Sequence, residues 1–90
     1  MWVVLETQEA TKALDKLPAN LVEKYNAWVA IVGASGPSGL RAIKGFHDEA
    51  LAGNLQGYRS SRLNLQWRIV YSVEATTVTV TVERITRHKY

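Results

Sequence analysis

The 90-residue sequence contains no cysteine, which excludes a disulfide framework, a thiolate nucleophile and a thiolate-bound metal. Long apolar runs are missing as well. The longest covers residues 27–32, far short of the roughly 20 residues that a bilayer-crossing helix needs. After Met1, only Trp2, Val3, Val4 and Leu5 are consecutively apolar, too few for the core of a secretion signal. A soluble, cytoplasmic protein is the expectation. Histidine is scarce: His47 and His88 are isolated, and Asp48 and Glu49 project differently along an extended chain, so neither a metal nor another cofactor is indicated. Repeats and low-complexity tracts are also absent.

What is present is ordinary for a folded domain, with 47% apolar and 21% charged residues. The length allows one domain over residues 1–90. A domain of this size buries only about 60% of the surface that its unfolded chain exposes, so a habitual partner is unsurprising. The net charge is +3 and the isoelectric point is about 9.5. The first forty residues are slightly acidic. From Arg41 onward, Arg41, Lys44, Arg59, Arg62, Arg68, Arg84, Arg87 and Lys89 outnumber Asp48, Glu49, Glu74 and Glu83. The second half therefore carries a positive field that suits an anionic partner such as RNA or an acidic protein.

Local patterns give an order of elements. Residues 2–5 read as a short strand. Thr7 is placed to cap a helix in which Ala10, Ala13, Leu14 and Leu17 recur at helical spacing, and Pro18 ends it. A second helix runs from Ala19 to about Val32, with Leu21, Val22, Tyr25, Trp28, Val29 and Val32 as its apolar stripe. The segment GASGPSG at 33–39 breaks it. Residues 41–54 read as irregular. Three strands follow, at 56–63, 65–71 and 77–83, with Ala75 and Thr76 turning between the last two. The predicted fold is α+β, β-α-α-β-β-β, with the two helices on one face of a small antiparallel sheet. Trp2, Trp28, Trp67, Tyr58 and Tyr71 are read as core.

Chemistry concentrates in the second half. Arg68 alternates with Trp67 and Ile69 and so faces away from both, and Arg62, Asn64 and Gln66 share its parity if the chain stays extended. Guanidinium forks match phosphate geometry. That face is either an RNA-binding surface or a solvated outer sheet face. Glu49 is a general base or a plain loop carboxylate, and a carboxylate beside several arginines is a weakened base that can instead orient groups. His88 and Tyr90 are an acid and a stacking group, or a mobile basic tail. Arg41, Lys44, Arg59, Arg84 and Lys89 are candidate contacts to an RNA backbone. His47 reads as a surface histidine.

The segments D-E-A-L at 48–51, N-L-Q-G-Y at 54–58 and W-R-I-V-Y at 67–71, in this element order, resemble the RelE/ParE superfamily of bacterial toxins. The likeness is nearest to messenger-RNA interferases of the YoeB and HigB type and covers nearly the whole chain. It implies a small twisted antiparallel sheet carrying two N-terminal helices. The implied activity is metal-independent cutting of messenger RNA in the ribosomal A site, silenced by a cognate, DNA-binding antitoxin that forms a complex with the toxin. Carried over, Glu49 matches the acidic base and Arg68 the arginine on the scissile phosphate. Arg62 resembles a second phosphate arginine, and His88 and Tyr90 fall where a terminal His/Tyr pair lies. The ending Arg87, His88, Lys89, Tyr90 departs from the Pro-His-Asp-Tyr type common in such toxins. The alternatives on the same scaffold are a non-enzymatic ParE-like poison of DNA gyrase and an inactive homologue that only binds antitoxin.

Overall fold

The computed structural model describes residues 1–87. The chain forms β1 (Val3–Glu6), α1 (Gln8–Leu14), α2 (Ala19–Ser35), α3 (Ser38–Arg41), β2 (Glu49–Ala50), β3 (Tyr58–Arg62), β4 (Trp67–Glu74) and β5 (Thr79–Arg87). Short 3-10 turns occupy Lys44–Phe46, Gly53–Leu55 and Ala75–Thr77. Among the described residues no helix is long and apolar enough to cross a membrane.

The α+β class holds, but the sheet is mixed and has five strands in the order β1-β5-β4-β3-β2. β1 runs parallel to β5, with Val3 beside Thr79 and Glu6 beside Val82; the other pairs are antiparallel. A parallel pair needs a long crossover rather than a hairpin, and everything between β1 and β5 serves as that crossover. The stretch 41–54, expected to be irregular, contributes β2 as an edge strand on β3.

The start of α1 and both ends of α2 have a visible cause; α1 itself stops at Leu14, short of the Leu17 expected before Pro18. The Thr7 hydroxyl accepts from the Ala10 N–H at 3.1 Å, satisfying one of the first-turn donors that have no partner within the helix. The same hydroxyl donates to the Glu83 carbonyl at 2.7 Å, tying α1 to β5. Pro18 precedes α2 with φ −56°, the value its ring imposes. α2 continues past Gly33, where the sequence places a break, because one glycine costs a helix only about 1 kcal/mol. Gly36 stops it, at φ 73° and with its N–H bonded to the Val32 carbonyl at 2.8 Å.

The core lies between α2 and one face of the sheet. Leu21, Tyr25, Trp28 and Val32 meet Ile69, Tyr71, Val80, Val82 and Ile85. Trp28 is fully buried, edge-on to Tyr71 at 5.2 Å, and its indole N–H donates to Ser61 Oγ at 2.9 Å. Buried indoles ordinarily find such an acceptor. Trp2 and Trp67 are only half-buried against this cluster. Tyr58, expected in the core, is half-buried and borders a concavity on the opposite face.

One irregularity re-aims side chains. Val70 pairs with Arg84 but Tyr71 pairs with Val82, so Glu83 is an extra residue, a β-bulge. Val82 and Ile85 stay in the core, while Glu83 and Arg84 both border the outer concavity.

Candidate functional site

Directly opposed residues on neighbouring strands share a face of the sheet. Arg62 stands opposite Arg68, Arg68 opposite Thr86, and Val70 opposite Arg84. Glu49 stands opposite Ser60, which is itself opposite Val70. Glu49, Arg62, Arg68 and Arg84 therefore lie on the face turned away from α2. Like charges directly opposite each other destabilise a sheet, and Arg62 and Arg68 form such a pair with no ion-pair partner among the described residues. The arrangement becomes favourable when an anion lies between them.

A cavity of about 340 Å3 opens on this face, lined by Leu51, Leu55, Arg68, Val70, Arg84, Thr86 and Arg87. Its floor is apolar and its rim cationic. Arg87 is steadied over the Trp67 ring at 5.9 Å and donates to Gln66 Oε1 at 3.0 Å. Arg84 Nε is 3.5 Å from Glu9 Oε2, with both side chains well exposed, a pairing of little energetic weight. Asn64 does not continue the arginine face. Its Oδ1 accepts from the N–H groups of Gln66 and Trp67 at 2.8 and 2.7 Å, forming the turn between β3 and β4.

The opposite face of β2 and β3 carries a second, structural polar cluster. Asp48 precedes Glu49, so its side chain points the other way. It is fully buried there and accepts from Arg59 Nη2 and Nε at 2.7 and 3.1 Å, Ser61 Oγ at 2.8 Å and the Tyr71 hydroxyl at 2.5 Å. Burial first, and then the hydrogen bond to Asp48, push the Tyr71 phenol above its ordinary pKa. Burial alone works against the Arg59 guanidinium, and its bonds to Asp48 and Tyr71 outweigh that and raise it. Arg59, read from the sequence as an RNA contact, is thus committed to Asp48 on the helix side.

The remaining expected residues are dispersed. Arg41 lies at the end of α3 and Lys44 in the following 3-10 turn, both exposed and neither lining the cavity. His47 is exposed, with a left-handed φ of 45°. His88, Lys89 and Tyr90 lie outside the described residues. Sequence reasoning missed Asp48 as an anchor and Glu83, Thr86 and Arg87 at the cavity and its neighbour. Parity counted onward from Arg84 gives Thr86; nothing in the sequence announces the bulge. Among the described residues no group of His, Asp and Glu side chains is placed to hold a metal.

No protein-family model and no curated protein matches the sequence. Solved structures do. A YoeB/ParE toxin from Agrobacterium tumefaciens superposes with TM-score 0.77 at 21% identity, covering 97% of this chain and 99% of its own. YoeB in a YoeB–YefM complex from Staphylococcus aureus gives 0.73 at 22%, covering 99% of each. An archaeal RelE–RelB complex from Pyrococcus horikoshii gives 0.76 at 20%, covering 96% and 93%. The chain shares the fold of these YoeB and RelE structures.

Proposed function

We propose that this protein is the toxin of a type II toxin–antitoxin pair and a metal-independent endoribonuclease that cuts messenger RNA on the ribosome. The observation that carries the reading is the arginine couple Arg62 and Arg68, without an ion-pair partner among the described residues and on the same face as Glu49, with Arg68 lining an arginine-rimmed cavity. Structural kinship with toxins solved together with YefM and RelB supports the toxin role and an antitoxin partner.

In the proposed reaction, Arg62 and Arg68 hold the scissile phosphate and neutralise the charge that builds on it. Glu49 takes the proton from the ribose 2′-hydroxyl, whose oxygen attacks the adjacent phosphorus. The bond from phosphorus to the 5′-oxygen breaks, leaving a 2′,3′-cyclic phosphate, and the departing oxygen receives a proton from His88 or Tyr90. Arg87 stands opposite Trp67, one position from Arg68; the roles of His88 and Tyr90 rest on the resemblance alone. Glu49 is exposed, on a strand of two residues, and such a site orients free RNA poorly. The ribosome supplies the in-line geometry, which is worth several orders of magnitude in rate. Arg41, Lys44, Arg84 and Lys89 contact RNA backbone; Arg59 is left out of that role because Asp48 occupies it. A partner that silences this face presents carboxylates to the arginines.

Expression of Arg68→Ala in cells tests the reading. The variant folds, because Arg68 takes no part in the core, and growth arrest and messenger-RNA cuts mapped by primer extension both disappear. Undiminished arrest by the variant overturns the proposal. A fall in DNA synthesis ahead of translation assigns the scaffold to gyrase instead.

A further inference from the structure

Next to the arginine cavity is a second concavity of about 250 Å3, lined by Asn54, Leu55, Tyr58, Val70, Glu83 and Arg84. Leu55, Val70 and Arg84 border both. The two hollows differ in chemistry. Beyond what they share, the first adds Arg68, Arg87 and a threonine, and the second an aromatic ring, an amide and a carboxylate.

The carboxylate is the anomaly. A face that attracts phosphate is weakened by a negative charge placed among its arginines. Glu83 is there because of the bulge, which turns two successive residues outward where a regular strand turns one. Ser72 Oγ donates to Glu83 Oε2 at 2.8 Å and aims the side chain, while Oε1 accepts no hydrogen bond from the described residues. A partly buried, oriented carboxylate with one oxygen open is an acceptor waiting for a donor.

We infer that the second concavity binds the nucleobase whose phosphate sits in the first, and that Glu83 selects guanine there. The inference rests on the RNA-cleavage reading above. Guanine alone presents two adjacent donors, N1–H and the 2-amino group, to the two oxygens of a carboxylate. Adenine and cytosine each place a ring-nitrogen lone pair beside their amino group, and uracil flanks its single N–H with carbonyls, so each sets a repulsive atom against Glu83. Tyr58, Leu55 and Val70 cover the faces of the base, where stacking is indifferent to its identity, and the Asn54 amide is a donor for guanine O6. Discrimination of this kind comes from leaving a site's polar groups unpaired with the wrong base.

The test uses ribosomes programmed with messenger RNAs that differ only in the A-site codon, with cutting rates measured for the full chain and two variants. Guanine at one codon position is expected to raise the rate about ten- to a hundredfold over the other three bases. Glu83→Gln compresses that ratio to about twofold or less while cutting of the other codons persists, since glutamine turns one acceptor into a donor. Ser72→Ala, which only releases the carboxylate, lowers the ratio by a smaller factor and stands in if Glu83→Gln fails to melt cooperatively. Cutting without base dependence overturns the inference and leaves the nuclease reading intact. So does a preference that Glu83→Gln leaves unchanged, or a uniform fall at every codon. Failure of the unaltered chain to cut any programmed codon overturns both.

Discussion

Removing the Asp48 carboxylate is the most informative single perturbation of the fold. The group is fully buried and gathers four hydrogen bonds from three side chains on β3 and β4. Asp48→Ala leaves the Arg59 guanidinium, only one-fifth exposed, without a counter-charge, and strands the Ser61 and Tyr71 hydroxyls. Breaking a buried ion pair from one side costs about 3–5 kcal/mol, and the residual solvent access of Arg59 places this case near about 3 kcal/mol. A chain of this length is stable by about 5–13 kcal/mol in all, so the variant spends much of its margin. Urea unfolding followed by tryptophan emission is the assay, since Trp28 touches the cluster through Ser61. The midpoint falls by about 1–3 M with the slope unchanged, and the melting temperature falls by roughly 10–25 °C. Asp48→Asn costs nearly as much as Asp48→Ala, because the counter-charge of Arg59 is lost and the amide NH2 faces groups that are themselves donors. Joining Asp48→Asn to Arg59→Gln recovers about 1 kcal/mol or more of it, the coupling expected of contacting residues. A loss below about 1 kcal/mol for Asp48→Ala refutes the reasoning, since that is the scale of an exposed pair.

Two further outcomes follow from the same structure. Tyr25, whose hydroxyl donates to Glu6, and Tyr71 both have phenol pKa values raised in the fold, by burial first and by the adjacent carboxylate second. The protonated phenols therefore stabilise the fold fully below the unfolded value of about 10 and lose that contribution as pH rises toward the folded values, at up to about 1.4 kcal/mol per pH unit for each. The urea midpoint should decline between pH 10 and 11, less steeply in Tyr71→Phe; a flat midpoint from pH 9 to 11 contradicts the assignment. Gly36→Ala is expected to lower the melting temperature by at least ~4 °C. Gly36 sits at φ 73°, ψ −175°, and an added Cβ falls 2.5 Å from Trp2 Nε1. That backbone region costs other residues about 1–3 kcal/mol, and a change below about 2 °C counts against both causes.

Patterns that close within a few residues were legible in the sequence. The Thr7 cap, the α2 stripe through Trp28 and the alternation of Val80 and Val82 all express local patterns, whereas α1 stops at Leu14, before the Leu17 and Pro18 that the spacing suggests. The parity that sends Arg68 away from Ile69 also survives in the folded sheet. What escaped depends on partners remote in sequence. β2 is two residues long, too short to carry a period, and exists because Asp48 finds Arg59, Ser61 and Tyr71. Arg59 looked like its fellow arginines until the strand register set it on the other side of β3. Tyr58 has the character of a core residue, but its phase on β3 turns it to the outer face with Arg62. The bulge at Glu83 is a matter of counting across two strands, and no property of residue 83 alone reveals it.

The side-by-side alignment of β1 with β5 has a temporal meaning. Thr7 and its carbonyl acceptor on Glu83 are 76 positions apart, so the first strand synthesised has no neighbour to dock on until the last one arrives. Closing so wide a loop is slow and yields its reward late. Until β5 is made, the exposed aliphatic groups of Val3 and Leu5 stay on an unpaired strand, and the arginine surface, which needs β4 and β5 side by side, cannot assemble.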